Sequence, residues 1–442
     1  MALALSEHFT YKKLLAFTAP SILMMIFTSI YYVVDGFFVS NYAGETQFAA
    51  VNFIMPFIII FGSIGFMFGS GGSALISKTF GEGDKEKANS LFSLFVYTIF
   101  VSGVVLAVIG IVFIDKIALL LGADENMLEF CVIYGRIILA VLPLNMLQYA
   151  FQTFFSTAEK PMLGFIVTLI AGCSNMVLDW LFIAVFKWSV AGAAAATAIS
   201  QAAGGLIPLI YFFLPNKSSL RLGKTHVDFK ALFKASSNGI SEFLSNVAAA
   251  VVGMLYNAQL MKYAGQDGVS AYGVLMYVAM IFCAIFIGYS IGTAPIIGYH
   301  YGAENHGEVK DILKKSLIII GITSVAMVGL ALGLAYPLSI IFVGYNQKLV
   351  ELTLRAFYFY SFEFLFAGIG IFGSSFFTAL NDGVTSALIS FLRTMVFQVV
   401  TVLIFPLLWG VDGIWISMTF ADFAAAVVAV ICLLTKRKKY RY

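Results

Sequence analysis

Residues 42–61 read YAGETQFAAVNFIMPFIIIF, and residues 263–282 read YAGQDGVSAYGVLMYVAMIF. Gly44 and Gly265 stand 221 positions apart, half of the 442-residue chain. The register holds without a gap from Tyr42 to Gly81, which pairs with Gly302. Identical pairs along it include Ala50/Ala271, Met55/Met276, Phe61/Phe282, Gly71/Gly292 and Ile76/Ile297. Constant spacing over such a stretch, loop glycines included, is the mark of an internal duplication. Both copies open an apolar run of membrane-spanning length. A duplicated membrane half is a common plan of secondary transporters, with the substrate path at the interface of the halves.

Composition agrees. Hydrophobic residues make up 61% of the chain and charged ones only 11%, whereas soluble domains carry about 25% charged residues. The apolar runs are long enough to cross a bilayer. They predict about twelve spans, near 15–40, 52–77, 91–114, 130–152, 162–187, 190–213, 236–261, 269–297, 314–341, 352–380, 384–409 and 411–435. Turn signals such as Gly81-Glu82-Gly83-Asp84 and Asn381-Asp382-Gly383 separate them. The expected fold is an all-α polytopic membrane protein of two homologous six-helix bundles. They cover 1–213 and 236–442, joined by a basic loop at 214–235.

Nineteen Lys and Arg residues fall on one side of these spans. They include the five of the central loop and the tail Lys436, Arg437, Lys438, Lys439 and Arg441. Only Lys116, Lys187, Lys262 and Lys348 fall on the other. The positive-inside rule then puts both termini and the central loop in the cytoplasm, as for a multi-pass protein of the cell inner membrane. Each half begins and ends on the same side, so the repeat axis must run along the membrane normal. The basic tail reads as a topology anchor, in contact with membrane lipid. A net charge of +3 gives no argument for nucleic-acid binding. Cys131, Cys173, Cys283 and Cys432 form no CxxC, so neither a disulfide nor a metal site is suggested. The segment before the first span has no apolar core or cleavage site of a signal peptide.

Ionisable groups at membrane depth are costly and point to function. Span 1 carries Asp35. Span 5 carries Asp179, with Asn175 one turn earlier on the same face. Span 6 carries Thr197. Counting along the helices puts all four at one level, roughly 10 Å inside the outer edge. Two carboxylates, an amide oxygen and a hydroxyl suit a hard monovalent cation, and the acids could equally hold protons. Arg136 in span 4, at similar depth, is the ion-pair partner that would make either acid structural. The second half does not repeat the set: Tyr256 stands at the mate of Asp35 and Met418 at that of Thr197. It offers Glu242, Glu363, Arg393 and Asp422 instead, read as an internal ion-pair network or as contacts to a cationic substrate. Pro20 in span 1 removes a backbone hydrogen bond and marks a hinge.

The chain resembles the multidrug and toxic compound extrusion (MATE) transporters. Pro20 with Tyr32-Val33-Val34-Asp35, the segment Asn175-Met176-Val177-Leu178-Asp179, and Val190-Ala191-Gly192-Ala193-Ala194 through Thr197-Ala198-Ile199-Ser200 carry the resemblance. The tract from span 1 to the central loop looks like the bacterial branch related to multidrug-efflux and DNA-damage-inducible members. The resemblance implies export of cationic or amphipathic compounds in exchange for Na⁺ or H⁺, with no cofactor. It implies that Asp35 and Asp179 carry the coupling and that Asn175 and Thr197 complete the site. The acidic pair of the second half seen in other branches is not cleanly matched, Glu242 and Glu363 being stand-ins. Two other functions compete. A flippase for a lipid-linked or polar metabolite would call for a basic cavity, yet acids outnumber Arg136, Arg355 and Arg393. A membrane enzyme would need a catalytic set, and His8, His226, His300 and His306 supply no such spacing.

Overall fold

In hydrocarbon every backbone polar group must be satisfied within the segment, which leaves the helix for these apolar runs. The computed structural model describes residues 3–442, and all regular structure among them is helical. The elements are α1 (Tyr11–Phe38), α2 (Glu45–Gly81), α3 (Lys85–Leu121), α4 (Glu125–Ala140), α5 (Leu142–Thr157), α6 (Pro161–Asp179) and α7 (Ser189–Phe213). They continue with α8 (Phe229–Gly302), α9 (His306–Val343), α10 (Gln347–Tyr360), α11 (Phe364–Ala379), α12 (Gly383–Phe391) and α13 (Gln398–Tyr440). Polar residues at the expected turns start the helices. The Asp84 side chain accepts from the Lys87 N–H, Asp228 from those of Lys230 and Ala231, and Asp382 from that of Thr385.

Nine helices among the described residues are long and apolar enough to cross a membrane, ten if α4 and α5 form one bent span. The run expected as one span at 130–152 is that pair, bent by 59° just before Pro143. The run at 352–380 is likewise α10 and α11 with a tight 3₁₀ turn, Ser361–Glu363, between them. α8 has 74 residues, about 110 Å of helix, between three and four times the roughly 30 Å of a bilayer core. It breaks at Gly265, where φ is +64°, a conformation only glycine takes without strain. Gly44, its mate in the repeat, also has positive φ, at +108°. α13 breaks in the same way at Gly410. The loop expected at 214–235 is shorter, because α8 already starts at Phe229. It is pinned to α3, where the Arg221 N–H donates to Asn89 Oδ1 at 2.7 Å and that of Gly223 to Ser93 Oγ at 3.0 Å.

The buried apolar side chains divide with the repeat. One cluster runs from Val39 to Ala235, and two others lie mostly beyond Val252. Where α2 and α8 cross, glycines let the backbones touch, the usual way helices gain packing in lipid. A Cβ on Gly81 would strike the Tyr299 carbonyl, and one on Gly302 would strike that of Lys78. Gly81 and Gly302 are mates 221 apart, and so are Lys78 and Tyr299, so the contact is reciprocal, as a two-fold requires. The N-terminal arm crosses the same end. Its Phe9, fully buried in the second half's cluster, contributes about 2–3 kcal/mol there. The Leu5 N–H donates to Glu159 at 2.7 Å and that of Phe9 to Glu308 at 2.9 Å. The C-terminal Tyr440 hydroxyl donates to Asp382 at 2.7 Å.

Candidate coupling site and central cavity

α1, α6 and α7 bring together the four polar groups singled out in the first half. Asn175 and Asp179, one turn apart on α6, are 2% and 0% exposed, which is what distinguishes them from polar groups facing water. The Thr197 hydroxyl donates to Asp35 Oδ1 at 3.4 Å. Asp179 faces Asp35 carboxyl to carboxyl, and Asn175 lies against the same group. Both Asp179 oxygens and the Asn175 amide nitrogen are buried without a hydrogen-bond partner. Such orphaned groups are costly. Two buried carboxylates this near each other call for a cation between them or a proton on one of them. The donor set of two carboxylates, one amide oxygen and one hydroxyl fits either.

Arg136 does not take part. It bonds Asp115 at 3.2 Å, both side chains half-exposed. On α4 the buried face holds Tyr134, Gly135, Ile138 and Leu139, and residue 136 lies off that stripe. Equal depth therefore did not mean equal direction. α1 stays helical through Pro20.

Asp35, Asn175 and Thr197 line a cavity of about 400 Å³, which Met280 and Cys283 of the second half also line. A second compartment, about 370 Å³, continues from it past Phe66, Asn246 and Ile287. Glu242 and Arg393 line this second space. Arg393 Nε donates to Asp422 Oδ1 at 3.0 Å, with Asp422 only 1% exposed, and Glu363 is buried beside them. Among these four residues one ion pair forms, Arg393 with Asp422. At the mate of Asp35, the Tyr256 hydroxyl donates to Gln398 Oε1 at 2.6 Å and meets Ser417 Oγ at 3.0 Å.

A helical membrane fold, a repeat and paired cavities do not by themselves name a family, but the family model described as MatE matches residues 20–181 and again residues 243–404. The chain belongs to the MatE family. Its membership makes it a multi-pass membrane transporter rather than an enzyme. Over 433 residues it is 24% identical to "Multidrug export protein MepA" of Staphylococcus aureus (strain MRSA252), covering 97% of this chain and 94% of that protein. Over 438 residues it is 26% identical to the protein of that name in Staphylococcus haemolyticus (strain JCSC1435), covering 98% and 95%. Among solved structures it is similar to a MATE protein in complex with MaL6, with TM-score 0.93, 20% identity and 98% of both chains covered. It is also similar to the outward-facing conformation of a multidrug resistance MATE family transporter of the MOP superfamily, with TM-score 0.92, 20% identity and 98% and 97% covered. The chain thus has the MATE fold.

Sequence reasoning missed two features of this MatE chain. The π-helical turn Trp180–Val185 directly follows Asp179, and another, Leu392–Phe397, carries Arg393. Such wide turns re-aim side chains and cluster at functional sites, but no residue pattern announces them. Aromatic residues were expected as possible cavity lining, but the particular tyrosines of the wall were not singled out. The Tyr32 and Tyr149 hydroxyls bond at 3.0 Å, and Tyr31, Tyr32 and Tyr134 line the cavity. Tyrosines in a chain this aromatic carry no signal of their own.

Proposed function

We propose that this protein is a secondary antiporter that exports cationic or amphipathic compounds in exchange for Na⁺ or H⁺. The observation that carries the reading is the pair Asp35 and Asp179: Asp35 stands on the wall of an apolar, aromatic cavity, and near it both Asp179 oxygens are buried without a partner. Asn175 and Thr197 complete the coupling site. The printed name of the MepA relatives, multidrug export, agrees with it.

The architecture that goes with this reading is twelve spans in two six-helix bundles, 1–213 and 236–442, related by an axis along the membrane normal. α8 and α13 each count as two crossings, divided at Gly265 and Gly410. Both termini lie in the cytoplasm, on the strength of the basic loops. The glycine contacts between α2 and α8 then seal the cytoplasmic end, and the cavity faces outward. Ion binding removes the repulsion between the acids and frees α1 to bend at Pro20, shrinking the cavity wall. The ion drives this only through its different affinity for the two states.

The test is efflux of a fluorescent organic cation from proteoliposomes under Na⁺ and proton gradients imposed separately. One of the two gradients accelerates efflux in the wild-type protein. Efflux indifferent to both gradients sinks the antiport reading.

A further inference from the structure

The second compartment differs from the first in its lining. Serine and threonine hydroxyls surround it, among them Ser70, Ser245 and Ser375. Two full charges of opposite sign also stand on its wall, Glu242 and Arg393. They line the same space, yet they form no ion pair with each other. The Arg393 guanidinium makes one hydrogen bond, through Nε to Asp422, and its two terminal nitrogens make none. The Glu242 carboxylate makes none either; only its backbone carbonyl accepts, from Asn246. Asp422 and Glu363 sit behind the arginine and do not line the cavity. Gly370 leaves the channel through which the arginine reaches it, since a Cβ there would stand 2.9 Å from Arg393 Cδ. Ser290, 4% exposed, aims an unpartnered hydroxyl at the same space.

A basic fork and an acidic group that share one cavity without satisfying one another fit a ligand that carries both charges. A bare cation would meet Glu242 but also the repulsion of Arg393. A bare anion would meet the reverse. We propose that this compartment binds the zwitterionic end of an amphipathic substrate, with a carboxylate on the Arg393 fork, a cationic nitrogen beside Glu242, and the apolar body against the aromatic first compartment. The inference deepens the export reading and rests on it for the identity of the cavity. The guanidinium is the group for this task because its two outer N–H edges match a carboxylate bidentately.

The test uses purified full-length protein in detergent and two probes of nearly one shape. Rhodamine B is a zwitterion at neutral pH, and its ethyl ester is a cation. Fluorescence anisotropy gives the affinity of each. The wild-type protein should bind rhodamine B several-fold more tightly than the ester. Arg393→Lys keeps a charge for Asp422 but loses the fork, and should weaken rhodamine B about 10-fold while changing the ester less than about 2-fold. Glu242→Gln should weaken both probes. Equal wild-type affinities, an equal shift of both probes in Arg393→Lys, or binding of neither probe overturns the proposal. Ion-driven efflux is a separate readout: its absence with this affinity pattern intact contradicts antiport and leaves the zwitterion site supported.

Discussion

The repeat places two polar centres at corresponding points of the two halves, and they have opposite character. In the first half Asp35 meets Asp179 and Asn175, with three buried polar atoms left unpaired. In the second half Tyr256 meets Gln398 and Ser417 in a closed set of neutral hydrogen bonds. A centre whose bonds are all made contributes rigidity. A centre whose bonds are unmade can be completed by an ion, and so can exist in two states. The duplicated scaffold thus holds a centre with unmade bonds in one copy and a closed one in the other. The charges of the second half moved elsewhere, to an arginine that Asp422 already holds.

The comparison breaks most visibly at the acids. Asp35→Asn or Asp179→Asn should weaken ion binding by about 100-fold, the upper scale for disturbing partners of ion ligands, and should abolish gradient-driven export. The variants should still be folded, judged by monodisperse elution. Wild-type export by both variants would move the coupling site to the second half.

Arg393→Ala tests the second half's charges. It strands the Asp422 carboxylate in a buried place, which typically costs about 3–5 kcal/mol. The expected result is a clear fall of thermal stability in detergent, largely restored by the double variant Arg393→Ala/Asp422→Ala. An unshifted melting curve for the single variant would show that Asp422 is not held as described.

Tyr256→Phe sharpens the contrast. Losing the hydroxyl should cost about 1 kcal/mol and leave gradient-driven export within about 2-fold. An effect on export as large as that of Asp35→Asn would make the two centres functionally alike. Arg136→Ala should do least. Its pair with Asp115 is half-exposed, and such pairs contribute about 0–1 kcal/mol. Export should be unchanged, whereas a loss of ion coupling would restore Arg136 as a partner of the acids.

The fold was legible because both of its signals are long. Apolar runs show spans, and a 40-position register shows duplication. The broken helices were not: nothing at 130–152 separates a straight span from one bent by 59° except Pro143, and proline is tolerated in straight spans too. At the site, Asp35, Asn175, Asp179 and Thr197 could be grouped because carboxylates and amides at membrane depth are rare, and depth follows from counting residues. Direction around the helix does not follow so simply, which is why Arg136 was drawn toward acids it does not face. The π-helical turns beside Asp179 and Arg393 change that direction again. Gln398 and Ser417 were overlooked because neutral polar residues in a span look like ordinary packing until their bonds to Tyr256 are seen.

The central claim is that substrate and ion compete through the first-half acids. Linkage then requires bound substrate to weaken ion binding by the same factor by which the ion weakens substrate binding. The direct measurement is ion affinity of the purified protein, titrated with and without a saturating transported cation, for the wild type and Asp179→Asn. The account predicts a lower ion affinity with substrate present in the wild type, the reciprocal shift in substrate affinity, and loss of both shifts in Asp179→Asn. The same ion affinity with and without substrate in the wild-type protein would contradict it.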